Sequence, residues 1–299
     1  MIACSLRCLM MLLAIGLFAS RLNAQGSIAP QPMTIEGAAA HVYKSIDGID
    51  LRLHVFAPAE TKAAPGAAIV FFFGGAWTGG MVQQFVPQAK HLAQRGMVAI
   101  VADYRVARRH NTTPFAAMAD AKSAIRWVRS HAKALGVDPS RIAAAGGSSG
   151  GHIAASAGVF AAYDESTENA RISSKPDALV LFNPALDTSR VQNRFGDRAL
   201  EGSVSHHLKH APPPTIIFHG RADTTVPFEH SESFCVAVTK LHGKCTVIGY
   251  DGAPHGFFNL RDDDPARKEW HRQTLLEADR FLTRLGYLPA LSPVTILNR

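Results

Sequence analysis

Six short apolar runs, continuous rather than alternating, set the main constraint on how this chain can fold. They read AAIVFFF, MVAIVAD, RIAAAG, DALVLFN, PTIIFHG and CTVIGY. Strands buried on both faces have this continuous hydrophobicity. Helical spacing of apolar residues lies between the runs, which predicts an α/β fold with a doubly wound, mostly parallel sheet and helices on both faces. An alternating stretch before them turns at Asp47-Gly48 and predicts an antiparallel edge hairpin, for eight strands in all.

The amino terminus has the pattern of an export signal. It carries Arg7, then an apolar run of eleven residues from Leu9 to Ala19, then polar residues. A membrane-spanning helix needs about 20 apolar residues, so an anchor is the weaker interpretation. We therefore expect a signal peptide over 1–24, a secreted or periplasmic mature chain without stable membrane association, and a single domain over 25–299.

The cysteines agree with export. Cys4 and Cys8 fall in the signal, and only Cys235 and Cys245 remain in the mature chain. An even pair in an exported protein favours a disulfide, here between a predicted helix and the strand that follows it. Two unpaired buried thiols are the alternative.

The net charge of the chain and the spacing of its histidines argue against nucleic acid and metal ions as partners. Removal of Arg7 and Arg21 with the signal reduces the net charge from +7 to +5, and the basic residues are too scattered for a nucleic-acid-binding face. One local cluster, YRVARRH, is expected to be a solvated loop, with contact to an acidic polymer as the other option. Histidines at 206, 207 and 210 lack a carboxylate or cysteine at a fixed offset, so neither a metal nor a cofactor is expected.

A glycine-rich corner, RIAAAGGSSGGHIAA, joins a predicted strand to a predicted helix. Residues 146–150 read G-x-S-x-G, the nucleophile elbow of a serine hydrolase, with Ser148 at its centre. A frame centred on Ser149 also has flanking glycines. We prefer Ser148, because the distance from Ala145 matches the elbow and Gly151 then serves helix packing.

A serine nucleophile needs a base and an acid that orients the base. In folds with this elbow the acid and then the histidine follow the serine along the chain. Asp223 and His255 each follow a predicted strand and occur in this order. Asp251 and Asp187 are the competing acids.

The segment FFFGGAWTGG follows the first predicted parallel strand. Its small residues let the backbone approach a substrate, so we expect the N–H groups of Gly75 and Ala76, with that of Ser149, to form an oxyanion hole. A simple glycine turn is the alternative. Trp77 is expected to line the substrate pocket, although it could equally belong to the core.

The segments FFFGGAW, GGSSGGH, HGRADTTVP and APHGFFN, in this order, resemble the α/β-hydrolase superfamily. The resemblance is to its esterase branch, related to hormone-sensitive lipase and to secreted acetyl or feruloyl esterases of plant polysaccharides. It covers nearly all of the mature chain. Three positions depart from the family pattern: Phe73 replaces a histidine, Ala76 a glycine and Gly147 an aspartate.

The sequence therefore predicts a metal-independent serine carboxylesterase that forms an acyl-enzyme on Ser148. The segment Pro184 to Pro214, predicted as a cap or surface insertion, is rich in polar residues, which disfavours long-chain lipids. The resemblance implies acetyl or feruloyl groups on small or oligosaccharide esters. A prolyl-oligopeptidase-like peptidase and a non-catalytic binding protein stay open as alternatives, and the oligomeric state is not predicted.

Overall fold

Eight strands form the framework of the described part of the chain. The computed structural model describes residues 28–58, 60 and 64–290, so the predicted signal peptide at 1–24, with Cys4 and Cys8, lies outside it. The described residues from Gln31 onward form one compact unit. Its strands are β1 (Ala39–Ile46), β2 (Ile49–Phe56), β3 (Gly66–Phe72), β4 (Val98–Ala102), β5 (Val137–Gly147), β6 (Ala178–Phe182), β7 (Thr215–Gly220) and β8 (Cys245–Tyr250).

The strands pair in the order β1-β2-β4-β3-β5-β6-β7-β8. The pairs β1/β2 and β2/β4 are antiparallel, and every other pair is parallel. Asp47 and Gly48 both have positive φ, as a tight two-residue hairpin turn requires. The predicted edge hairpin and the eight-stranded, mostly parallel sheet are thus confirmed. The carboxyl ends of β3 and β5–β8 lie along one edge, where open α/β sheets place their sites.

In the described part of the chain, five longer helices follow the strands: α1 (Val86–Gln94), α2 (Pro114–Ser130), α3 (Ser149–Val159), α4 (Phe228–Lys240) and α5 (Pro265–Arg284). Strands β4, β6 and β7 are buried at every position, so both faces of the sheet are covered. Proline at the start of α1, α2 and α5 suits positions whose N–H groups have no intrahelical partner. Among the described residues, no helix combines the length and apolarity that crossing a membrane takes.

The segment between β6 and β7 forms a compact insertion with short helical turns. Its turns span Gln192–Phe195, Gly196–Arg198 and Val204–His207. Internal hydrogen bonds hold it together, such as that from Thr188 Oγ1 to the carbonyl of Ala199 (2.8 Å). The predicted segment 184–214 therefore has an ordered fold, whereas its role as a cap stays a prediction.

The basic cluster YRVARRH is not the solvated loop that the sequence predicts. Arg105 is 8% exposed, and its Nε and Nη2 atoms donate to Asp120 on α2 at 2.9 and 2.7 Å. The next three basic residues lie in a short helix, Ala107–His110, and Arg109 donates to the carbonyl of Gly80 (3.0 Å). The prediction was wrong because the neutralising carboxylate comes from a helix that the local sequence window does not include.

A disulfide joins α4 to the start of β8. It links Cys235 to Cys245, whose Cα atoms are 5.1 Å apart and which are separated by ten positions in the sequence. The bond ties the helix to the edge strand of the sheet.

Candidate active site

Ser148 lies at a sharp turn between β5 and α3. Its φ of 53° and ψ of −119° are unusual for a residue with a side chain, and such strain is a feature of nucleophile elbows. The turn depends on its glycines. A Cβ atom at Gly150 would lie 2.1 Å from the carbonyl oxygen of Phe72, and one at Gly146 would lie 2.5 Å from the backbone of Gly150. The strand and the helix can meet closely only because both residues lack a side chain.

The three residues predicted as a triad come together at the carboxyl edge of the sheet. Ser148 Oγ lies 3.1 Å from Nε2 of His255, and Nδ1 of His255 lies 2.7 Å from Oδ2 of Asp223. The Asp223 carboxylate is fully buried, whereas the His255 side chain is 26% exposed. This is the geometry in which a histidine can take the serine proton while a buried carboxylate orients its ring.

Asp223 is held in its ionised form. Burial acts to raise the pKa of this carboxyl, but hydrogen bonds from His219, His255 and the N–H of Val226 outweigh burial and hold the pKa well below its usual range. The His219 ring is itself buried, and its Nε2 lies 3.3 Å from Asp223 Oδ2 and 3.0 Å from the Val226 carbonyl. The sequence analysis did not identify this second histidine, although it stands four positions before the aspartate in HGRAD.

The loop after β3 takes an unusual backbone path beside Ser148. Ala76 and Trp77 have φ of 53° and 57°, and the Gly75 carbonyl accepts from the N–H groups of Thr78 (3.0 Å) and Gly79 (3.1 Å). A Cβ at Gly74 would lie 3.4 Å from that of Ser148, so the loop passes directly against the serine.

The N–H groups of Gly75, Ala76 and Ser149 have no acceptor among the described residues. Ser149 is the first residue of α3, where backbone donors lack intrahelical partners and the helix dipole favours negative charge. The three free donors therefore lie in the loop that passes against Ser148 and at the first residue of α3, where the sequence predicts an oxyanion hole.

The residues that the sequence left as alternatives for the nucleophile and the acid are not placed for those roles. Ser149 is fully buried, so its hydroxyl is not the exposed one at the elbow. Asp187 accepts from Ser203 Oγ (3.2 Å) within the insertion, and Asp251 is a surface residue paired with Arg221 (3.1 Å). The structure thus brings Asp223, and neither competing aspartate, to His255.

Trp77 is 4% exposed and packs in an aromatic cluster. Its indole N–H donates to Nδ1 of His152 (3.2 Å), and Nε2 of His152 donates to the carbonyl of Gly202 (2.8 Å). Burial lowers the pKa of His152 to about 4, which keeps the ring neutral with its proton on Nε2. The Trp77 ring also meets the edge of Phe195 at 4.9 Å. Trp77 therefore links the loop after β3 to the insertion, and its role in lining a substrate pocket stays a prediction.

Asn183 is another residue that the sequence analysis missed. It is fully buried directly after β6, with a φ of 34°. Its Oδ1 accepts from the N–H of Gly256 (3.2 Å), the residue after His255. Asn183 thus helps to hold the loop that carries the histidine, and a polar residue directly after a buried strand was the available signal.

The structure shows the surroundings of the three positions that depart from the family pattern. The Phe73 ring stacks on Tyr104 with centroids 4.1 Å apart. Ala76 retains its backbone N–H, and Gly147 faces the ring of Phe258.

Within the described ranges, no three side chains of His, Cys, Asp or Glu are grouped to hold a metal ion.

Comparison with known proteins agrees with this geometry. The BD-FAE family model matches residues 53–192. The solved structure of Thermogutta terrifontis esterase 2 phosphoramylated by tabun is 46% identical, with a TM-score of 0.81, over 86% of this chain and 97% of that one. Structures of the same esterase with propionate bound and with butyrate bound are each 44% identical to this chain.

Two curated relatives broaden the comparison. Esterase LipC of Mycobacterium tuberculosis is 27% identical over 69% of this chain and 56% of its own length. Endo-1,4-beta-xylanase B of Butyrivibrio fibrisolvens is 29% identical over 47% of this chain and 24% of its own. The chain spans about half the length of the first curated esterases that it matches. From the fold, the site geometry and the match to a solved esterase over nearly its full length, the chain belongs to the esterase branch of the α/β-hydrolase superfamily of serine hydrolases.

Proposed function

We propose that this protein is a carboxylesterase that hydrolyses esters of short acyl chains through an acyl-enzyme on Ser148. The observation that carries the proposal is the continuous contact from Ser148 through His255 to the buried Asp223. Three free backbone donors at the same serine supply the second requirement of acyl transfer, which is stabilisation of a negatively charged oxygen.

In the first half of the reaction, Ser148 Oγ attacks the ester carbonyl carbon while its proton passes to Nε2 of His255. The carbonyl oxygen becomes an oxyanion that accepts from the N–H groups of Gly75, Ala76 and Ser149. The C–O bond to the alcohol then breaks, and His255 returns the proton to the departing alcohol oxygen. The acyl group is left on Ser148.

In the second half, a water molecule gives a proton to His255 and attacks the acyl carbon. The acid leaves as Ser148 recovers its proton. Asp223 stays ionised throughout and stabilises the positively charged imidazole that forms in each half. The lowered pKa of Asp223 supports this role, because the hydrogen bonds from His219, His255 and the N–H of Val226 favour the ionised carboxylate.

Two observations support a short acyl chain. Thermogutta terrifontis esterase 2 has been solved with propionate bound and with butyrate bound. In the present chain, Trp77 and Phe195 are buried against each other beside the loop after β3, where their rings would shorten an acyl pocket.

We further propose that the natural esters are acetyl or feruloyl groups on plant polysaccharide fragments and that residues 1–24 direct export. The partial likeness to a xylanase supports the substrate class, and the polar composition of the insertion fits a hydrophilic alcohol. The substrate class is carried by resemblance and the export signal by Arg7 and the apolar run from Leu9 to Ala19.

The test is a rate comparison with acetyl, butyryl, octanoyl and feruloyl esters and with acetylated xylo-oligosaccharides. We expect turnover that falls as the acyl chain lengthens, and acetate release from the oligosaccharides. Ser148→Ala is expected to abolish turnover, whereas Ser166→Ala, a change at an exposed serine, retains it. Faster turnover of octanoyl than of acetyl esters, with no acetate released, would refute the carbohydrate substrate and leave the serine mechanism intact.

Covalent labelling of the serine distinguishes an esterase from a non-catalytic binding protein, and a peptide assay distinguishes it from a peptidase. An organophosphate such as paraoxon should add one adduct, located on Ser148 by peptide mass spectrometry. Absence of both label and ester turnover would favour a non-catalytic binding protein. Cleavage of proline-containing peptides faster than any ester would favour a peptidase.

A further inference from the structure

A chain of amide hydrogen bonds links the two loops that flank Ser148. Oε1 of Gln84 accepts from the N–H of Gly74 (2.6 Å), and Nε2 of Gln84 donates to Oδ1 of Asn259 (3.0 Å). Nδ2 of Asn259 then donates to the carbonyl of Gly256 (2.9 Å). Gln84 and Asn259 are 175 positions apart in the sequence.

The two ends of this chain lie next to the reacting groups. Gly74 directly precedes Gly75, one of the proposed oxyanion donors, and Gly256 directly follows His255. The two loops leave β3 and β8, which are not neighbours in the sheet, so strand pairing alone does not fix one loop relative to the other.

The orientation of both amides is determined by the backbone at each end. A backbone N–H can only donate, so the Gln84 oxygen must face Gly74 and its NH₂ must face Asn259. A backbone carbonyl can only accept, so the Asn259 NH₂ must face Gly256. The bridge therefore has a single hydrogen-bonding direction, and loss of either amide breaks it.

The loop at the Gly74 end needs external support. Ala76 and Trp77 adopt left-handed φ values, and such strain persists only where the surroundings hold it. The side chain of Phe73 carries no hydrogen-bonding atom. At the start of this stretch, Tyr104 Oη donates to the Phe73 carbonyl (2.6 Å) and the Gln84 side chain accepts from the Gly74 N–H. Its far end is held separately, by the N–H of Ala107 to the Trp77 carbonyl (2.9 Å) and by the Trp77 indole to His152.

We propose that Gln84 and Asn259 are positioning residues that hold the oxyanion donors and His255 in register about Ser148. This inference rests on the proposed esterase function. In that reaction the donors and the imidazole must act on one tetrahedral centre, and displacement of either by about 1 Å costs on the order of a hundredfold in rate.

Packing around the bridge is independent of its hydrogen bonds. Gln84 lies in a short helical turn, Val82–Phe85, and the Phe85 ring stacks on that of Phe258 with centroids 5.5 Å apart. Gln88 also donates to the carbonyl of Phe258 (3.3 Å). Neutral substitutions of similar shape should therefore leave the fold in place and remove only the polar link.

The test uses Gln84→Met, Asn259→Leu and the double variant in the mature protein. The matched control is Gln83→Met, which makes the same change at an exposed residue of the same turn. With 4-nitrophenyl acetate we expect kcat to fall roughly tenfold to a hundredfold in each single variant, with KM changed by less than about threefold. The control should keep wild-type kcat.

A double-mutant cycle distinguishes a bridge from two separate structural roles. If the two amides act as one unit, the double variant should lose about as much kcat as either single variant. Losses that multiply would overturn the proposal, as would wild-type kcat in both single variants. A melting temperature lowered in proportion to the loss of kcat, with activity recovered on cooling, would also overturn it.

Gln84→Asn adds a readout that does not depend on loss of polarity. It keeps the amide but is shorter by one methylene group, so it cannot span Gly74 and Asn259. We expect its kcat to fall with that of Gln84→Met, and wild-type kcat in this variant would contradict the bridge. Absence of esterase activity in the wild-type protein would refute the proposed function, whereas an active wild type with unaffected variants refutes only the bridge.

Discussion

A Cβ atom added at Gly147 would lie 2.5 Å from the Cζ atom of Phe258. The Phe258 ring cannot move aside easily, because it is 1% exposed and packs between Phe85 and Phe182 with centroids 5.5 and 4.8 Å away. Gly147, directly before the proposed nucleophile, and Phe258, three positions after the proposed base, are thus matched in size. This accounts physically for glycine where the family pattern has an aspartate.

Gly147→Ala should therefore destabilise the protein. Overpacking of a well-filled interior costs about 1–3 kcal/mol, so the free energy of unfolding measured with urea is expected to fall by that amount. Gly147→Ala combined with Phe258→Leu should recover part of the loss, because the smaller side chain frees the space at Cζ. An equal loss with and without Phe258→Leu would show that the two positions do not compete for space.

Asp223→Asn should lower kcat for ester hydrolysis by about 10³- to 10⁴-fold, as expected when the carboxylate that orients a catalytic histidine becomes an amide. The reason is that Nδ1 of His255 donates to this buried carboxylate at 2.7 Å. Steady-state kinetics with an acetyl ester measures the effect. Asp251→Asn is the matched control, since that side chain is exposed and pairs only with Arg221 among the described contacts. A large loss in Asp251→Asn with little loss in Asp223→Asn would reverse the assignment.

The strands β3–β8 of the sheet could be predicted because each of them has a run of successive apolar residues in the local sequence. Each of the six apolar runs overlaps one of β3–β8. Strands buried on both faces, such as β4, β6 and β7, have to be apolar at successive positions, and the edge strand β8 keeps an apolar sequence although it is only partly buried. The candidate site could be predicted because the carboxyl ends of parallel strands share one edge. Ser148, Asp223 and His255 each follow a strand, so their order along the chain was enough to bring them together.

The contacts that support the site could not be predicted, because their partners are distant in sequence. The Gln84–Asn259 link and the ion pair of Arg105 with Asp120 depend on where whole elements come to lie. A glutamine on a short turn gives no sign of its partner. For the same reason, the local sequence suggested a solvated loop where Arg105 is in fact buried.

Asp279 should make stability depend on pH. Burial acts to raise the pKa of this carboxyl, but contacts from His91 and Arg95 outweigh it and lower the pKa from 3.8 to about 2. Nε of Arg95 lies 2.6 Å from its Oδ2. A depressed pKa contributes stability that is present above the unfolded value and is lost as the pH falls through the folded one. Asp279→Asn should thus cost about 2 kcal/mol near neutral pH, and the difference from wild type should shrink between about pH 4 and pH 2.

Urea unfolding of both proteins near neutral pH and near pH 3 measures this dependence. Asp263→Asn serves as the control, because that carboxylate is largely exposed and its ion pair with Arg261 contributes little. A stability difference for Asp279→Asn that stays constant across the pH range would show that the effect arises from packing and not from the charge.

The disulfide between Cys235 and Cys245 should stabilise the protein by roughly 2–3 kcal/mol, on the chain-entropy model for a loop of this length. It restricts the unfolded chain, and in the folded state it ties α4 to the edge strand β8. The double variant Cys235→Ser, Cys245→Ser should melt at a lower temperature than the oxidised wild type. A reducing agent should lower the melting temperature of the wild type towards that of the double variant and leave the double variant unchanged. Alkylation of both cysteines in native, air-exposed protein, together with melting that is indifferent to reductant, would show that the thiols are unpaired in solution.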